Sequence, residues 1–231
     1  MEIPRYERAL IVGVGQGLSA SLARLFAGEG MQVALASRNP GGLAALCKET
    51  GARAFSCEAS DAAQVAKLFA DLDQAAGEPD VVVYNPSARV RGPITDLEPK
   101  DVERALAVCA FGAVLVAQQA ARRMLAKKRG AILLTGASAG VKGYAQSAPF
   151  AMGKFALRGL AQSMARELSP QGIHVAHFVI DGGIAREGRT PSGPDALLDP
   201  DAIAVNYLHV LRQPRSAWTW EIELRPWVEK F

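Results

Sequence analysis

Residues 9–30, ALIVGVGQGLSASLARLFAGEG, restrict the fold of this chain more than any other stretch. An apolar run over 9–14 gives way to glycines at alternate positions, Gly13, Gly15 and Gly17. Leu18, Leu22, Leu25 and Phe26 follow at helical spacing. The reading is strand, tight turn, helix. Glycines there let the backbone turn sharply and approach a ligand. The free N–H groups and positive end of the new helix favour a diphosphate, and the implied ligand is a dinucleotide. The alternative is a glycine turn that only joins strand to helix, because the spacing is GxGxG and not GxGxxG.

About twenty positions further on, residues 32–38 form a second apolar run ending in Ser37 and Arg38. An acidic residue at this point would hold the adenosine ribose hydroxyls of NAD. A guanidinium with no carboxylate favours the 2′-phosphate of NADP instead, so the expected cofactor is NADP (NADPH). The other reading of Arg38 is a lead into the surface turn Asn39-Pro40-Gly41-Gly42. Further strands are expected over 54–57, 80–85, 131–135, 174–181 and 218–226. Helices are expected over 43–49, from the Ser60-Asp61 cap through Leu72, over 99–128 as one long helix or a pair, over 149–169, and from Asp199-Pro200 through Leu211. Strands and helices that alternate at these lengths predict an α/β fold: a doubly wound parallel sheet of about seven strands, Rossmann-type, with helices on both faces. Pro86-Ser87 then faces the glycine turn across the point where such sheets bind ligands. Residues 182–199, rich in Gly, Pro and Arg, are a candidate lid.

The chain has 231 residues, 49% hydrophobic and 21% charged, which suits one domain over 1–231. A net charge of +3, with Arg122, Arg123 and the Lys127-Lys128-Arg129 cluster at one helix end, argues against a nucleic-acid partner. No cationic leader opens the sequence and no apolar run reads as membrane-spanning, so a cytoplasmic protein without a membrane partner is expected. Cys47, Cys57 and Cys109 lack metal-like spacing and are expected as free thiols, and no metal is expected. His174 and His177 fall near the start of a strand, the end away from the ligand, and read as packed rather than catalytic. No second charged cluster announces a carboxylate or CoA site.

Over nearly its whole length the chain resembles the short-chain dehydrogenases/reductases. The family turn TGxxxGxG corresponds to Val12-Gly13-Val14-Gly15-Gln16-Gly17-Leu18-Ser19, with the first Thr and last Gly replaced. The family NNAG corresponds to Tyr84-Asn85-Pro86-Ser87, where Asn85 matches. Glu58, followed by Ala59, stands where the family usually has an Asp near the adenine. Asp181-Gly182-Gly183-Ile184 replaces the segment that flanks the nicotinamide. The family motif YxxxK reads Phe150-Ala151-Met152-Gly153-Lys154, so the resemblance keeps the lysine that binds the nicotinamide ribose and replaces the tyrosine acid. The serine expected thirteen residues before position 150 is Ala137, with Ser138 one place off, and the relay asparagine is Cys109. The resemblance therefore implies an atypical active site built on Lys154, Ser138 and Phe150.

Phenylalanine exchanges no proton, and a lost general acid typically costs ~10²- to 10⁴-fold in rate. One reading is an NADP(H)-dependent oxidoreductase acting on a small-molecule substrate, an activated C=C or a carbonyl. The other is a non-catalytic NADP(H)-binding protein, a sensor or an oligomer partner. Tyr144 is a substitute acid on one view and a surface-loop residue on the other. Small residues along 99–128 and 149–169, together with C-terminal aromatics, lead to the expectation of a homodimer or homotetramer.

Overall fold

The computed structural model describes residues 4–229; Phe231, one of the C-terminal aromatics invoked for assembly, lies outside the described residues. The strands are β1 (Arg8–Val12), β2 (Gln32–Ser37), β3 (Arg53–Ser56), β4 (Val81–Tyr84), β5 (Gly130–Thr135) and β6 (Ile173–Ile180), then the short β7 (Gly183–Ile184) and β8 (Leu197–Leu198), and finally β9 (Glu221–Leu224). Seven of them form one parallel sheet in the order β3-β2-β1-β4-β5-β6-β9, while β7 and β8 pair separately. The chain reverses its direction of sheet growth between β1 and β4. A ligand crevice is expected at the carboxyl ends of those two strands.

β4, β5 and β6 are buried along their whole length, VVVY, GAILLT and IHVAHFVI, because helices cover both faces. On one face α1 (Leu18–Gly28) and α7 (Pro200–Leu211) pack Leu22, Phe26 and Tyr207 against Ile11, Leu133 and Phe178. The other face is covered by α3 (Ala62–Ala75), α5 (Gly112–Lys127) and α6 (Ala148–Leu168), which bring Phe69, Met124 and Leu157 onto Val82 and Ile132. Removing a side chain of this size from water contributes ~2–3 kcal/mol apiece. Between them, α2 (Ala44–Thr50) follows a 3₁₀ turn at Pro40–Leu43, and α4 (Pro99–Leu106) precedes α5. Asp61 and Asp199 cap α3 and α7 by accepting main-chain N–H groups; Ser60, expected to share the first cap, instead bonds Glu58.

Three sequence expectations change here. The β1 strand stops at Val12, because Gly13 already adopts φ +83°, so Val14 belongs to the turn. The helix over Pro99–Lys127 is continuous but contains a π turn at Ala107–Phe111, and because that stretch, AVCAF, is apolar at every position, the slip it introduces does not show in the apolar spacing of the sequence. By length and composition this helix is also apolar enough to cross a membrane, contrary to the reading of the sequence. Its Ala113, Val116, Ala117, Ala120 and Met124 pack into the core, which accounts for part of that apolarity.

Candidate active site

A backbone that must turn within a few residues fixes the first wall. Gly13 has φ +83°, and a Cβ there would stand 2.6 Å from the Pro86 nitrogen, so no other residue fits without displacing the β4 end. The turn is tied down by side chains: Asn85 Nδ2 donates to Ser19 Oγ (2.6 Å), and Ser19 Oγ donates to the Gly13 carbonyl (3.1 Å). This gives Ser19, at the place of the family's last glycine, a definite task. Gly15 and Gly17 have open space where a side chain would stand, next to the uncapped start of α1. The result is a cradle of bare backbone N–H groups at a positive helix end.

Three hollows sharing wall residues, about 650, 440 and 400 Å³, run from this cradle along the carboxyl ends of the strands. A wider hollow, about 1090 Å³, lies at the amino ends between Tyr6, Arg129 and Trp218, remote from the glycine turn. The first of the three is walled by Ser37, Arg38, Glu58, Ala59, Pro86 and Ser87. The second holds Gly13, Gly15, Gly17 and Leu18 at one end and Phe150, Lys154, Gly182 and Ile184 at the other. Ser138 lies in the third. Gln16 sits exposed on the turn, and its side chain lines none of these hollows.

The adenosine end carries an unfinished hydrogen-bond set. Ser37 Oγ is buried without a partner. Arg38 is largely exposed, 3.9 Å from Glu58, whose other oxygen accepts from Ser60 Oγ and N. An exposed ion pair at that distance is weak. A hydroxyl and a guanidinium are thus open to an added anion, and the residues fit an NADP 2′-phosphate.

At the other end Lys154 is 2% exposed, and its Nζ donates to the Thr135 carbonyl (2.8 Å). Burial lowers its pKa to about 8, with Cys109 acting to raise it and Arg89 to lower it further. One helical turn before it on α6, Phe150 is buried, with the Lys154 Nζ 5.9 Å from its ring centre. Ala137 lines the same hollow and carries no hydroxyl; Ser138 Oγ instead accepts from Tyr144 Oη at 2.9 Å. Tyr144 is exposed, as a loop residue should be, and its side chain nonetheless lines the third hollow beside Phe150.

Cys109 occupies the π turn, fully buried. Its Sγ accepts from Ala88 N (3.3 Å) and donates to Ala88 O (3.5 Å). Gly153 is what lets α6 come so near, since a Cβ there would stand 2.6 Å from Cys109 Cβ. The thiol therefore pins the loop after β4. All three cysteines are free.

Only His174 keeps to the far end of β6, stacked on Trp218. His177 lies deeper toward the cleft than its sequence position suggested, its ring against Gly136 and its Nδ1 bonded to Glu221 (3.0 Å), which is also held by Arg158. Burial depresses its pKa to about 4, so it is neutral and structural.

The sequence reading missed one group of residues. Arg89 and Arg91 follow β4, Arg186 and Arg189 follow β7, and the fold brings all four to the walls of the second and third hollows. This overturns the expectation that no second charged cluster exists. The alternation in Arg89-Val90-Arg91 and the arginine-rich lid were its only signals in the sequence.

Fold and cleft together define a class, the α/β dinucleotide-fold oxidoreductases. The short chain dehydrogenase model matches residues 7–188, and the chain belongs to that family. Among solved structures, a short-chain dehydrogenase from Rhodopseudomonas palustris is 34% identical, covers 97% of this chain and 100% of its own, and superposes with a TM-score of 0.84. A metagenomic short-chain oxidoreductase in complex with NADP is 25% identical over 96% of this chain and 98% of its own, with a TM-score of 0.85. Momilactone A synthase of Oryza sativa subsp. japonica is 34% identical over 204 residues, 84% of this chain and 72% of that protein.

Proposed function

We propose that the protein is an NADP(H)-dependent oxidoreductase with a degenerate catalytic tetrad, reducing an activated C=C or a carbonyl without the usual tyrosine acid. The observation that carries this reading is a buried lysine, Lys154, kept at the inner end of the glycine-turn cleft, one turn from a ring without a hydroxyl. When bound, the nicotinamide supplies the hydride. Lys154 would hold the ribose hydroxyls, oriented by the Thr135 carbonyl, and Gly182 and Ile184 would flank the ring. With no donor at position 150, the substrate must tolerate negative charge until water or a hydroxyl of the third hollow, Ser138 or Tyr144, returns a proton. A conjugated alkene meets that condition, since hydride addition at its far carbon leaves an enolate. The complex of a related short-chain oxidoreductase with NADP supports the cofactor choice.

The test is a panel of enones and ketones with NADPH, followed at the nicotinamide absorbance band. Oxidation of NADPH by any member supports the enzyme, whereas tight NADPH binding with no turnover across the panel favours a binder. For the cofactor itself, NADPH should bind at least tenfold more tightly than NADH, because a charge-assisted hydrogen bond contributes ~1.5–3 kcal/mol. Arg38→Asp should reverse that order. Equal affinities in the unmodified protein would remove Arg38 from the site.

We also propose a symmetric homodimer or homotetramer. Phe111 at the end of the π turn, Val114 near the start of α5, and Met152 and Phe155 on α6 are exposed, and together they leave apolar surface on the two helices that carry the small residues. Light scattering at micromolar concentration should give the mass of two or four chains. A single-chain mass would overturn this.

A further inference from the structure

We propose that the outer part of the cleft is an anion-binding subsite, in which Arg89 and Arg91, joined by Arg189 from the lid, hold a carboxylate or phosphate on the substrate. This rests on the oxidoreductase reading above and names the substrate class. Four guanidiniums, those of Arg89, Arg91, Arg186 and Arg189, line two connected hollows. Of the acids on the same walls, Asp181 is buried and already engaged by Lys142 (3.8 Å) and Arg225 (3.4 Å), and Glu229 lies at the exposed C-terminal margin. Among the described residues no carboxylate forms an ion pair with any of the four arginines.

Such a concentration of like charge is unfavourable without a counter-ion. The pKa of Arg89 is held below its ordinary value, first by burial and then by Arg91, Arg189 and Arg186. Its guanidinium lies over the face of Phe150, 4.5 Å from the ring centre. The phenyl ring that stands in for the acid is therefore also the platform for a cation. Arg89 is also positioned from behind, because the neighbouring Ala88 main chain is clamped by Cys109 Sγ. Arg91 lines the third hollow and not the one containing the glycine turn, so its charge addresses a substrate and not the cofactor diphosphate. Planar guanidinium forks suit oxyanions.

The experiment uses the full chain saturated with NADP⁺, which permits binding without reduction. Short 4-oxo-2-enoates, 2-oxo acids and keto phosphates are each titrated calorimetrically against their neutral esters or alcohols. At least one acid should bind tenfold or more tightly than its neutral partner, and that preference should weaken as salt is raised. Arg89→Gln with Arg91→Gln should abolish the preference, and Arg91→Gln, outside the hollow that holds the glycine turn, should leave NADPH affinity within twofold. Arg91→Gln alone, at an exposed loop position, covers the case in which the double variant does not fold, and should lower the preference severalfold. Absence of acid preference across the whole panel overturns the proposal, as does its survival in the variants. An equal loss of NADPH affinity in Arg91→Gln would assign the cluster to the cofactor and equally overturn it. Failure of the unmodified protein to bind NADPH would instead sink the oxidoreductase reading, and that titration is read separately.

Discussion

Phe150→Tyr combined with Ala137→Ser is expected to raise ketone reduction with NADPH by ~10²-fold or more, within the range that a positioned general acid contributes. The geometry for this is already present. Phe150 precedes Lys154 by four residues on α6, so both side chains share one helix face. A phenol there would stand beside two cations, the Lys154 ammonium and the Arg89 guanidinium, which both stabilise its ionised form. Ala137 is buried in the same wall, where a hydroxyl could hold the substrate oxygen. The single Phe150→Tyr change should yield a smaller gain. Turnover that stays flat in the double variant while NADPH still binds would show that the cleft has been reshaped for chemistry a restored acid does not serve.

The second large effect comes from Lys154→Met, which should move function and stability in opposite directions. NADPH affinity should fall ~10- to 100-fold, the value of hydrogen bonds from a buried cation. Without cofactor, the variant should melt at or above the temperature of the unmodified protein, by up to ~5 °C, since methionine fills similar volume without a charge to desolvate. The pH dependence follows from the pKa of about 8 in the folded protein against the ordinary 10.5. Between these values the unfolded chain binds the proton more strongly, so stability rises with pH across that window. Below about 8 the full cost, ~3 kcal/mol, is present. The unmodified protein should therefore gain thermal stability relative to Lys154→Met between pH 8 and 10.5, since the buried Cys57 thiol and Tyr6 phenol, whose raised pKa values act in the opposite sense, are common to both proteins. Unchanged NADPH affinity in the variant would take Lys154 out of the cofactor site.

The fold was legible because its signals are local. Val81–Tyr84 is wholly apolar, Gly13 sits where the chain must reverse, and Asp61 and Asp199 mark helix starts by chemistry that needs only a few neighbours. The inner end of the site was legible for the same reason, since Phe150 and Lys154 share one helix. The arginine cluster was not, because Arg91 and Arg189 lie on distant segments and meet only when β4 and β6 flank β5. The π turn left no trace in the spacing of apolar residues, and so the link from Cys109 to the Ala88 main chain was invisible too.

The sheet order has a consequence for how the molecule is made. β1 lies next to β2, which follows it in the chain, and β4, which arrives only after two further strands and α3. During synthesis the β3-β2-β1 half can therefore assemble first, leaving β1 with one edge unpaired and its Leu10 and Val12 without the cover of α5 and β4. Every remaining pairing is parallel and separated by a crossover, so each waits on closure of a long loop, the slow kind of contact to form. That open apolar edge is where a stalled or truncated chain would capture another copy of itself.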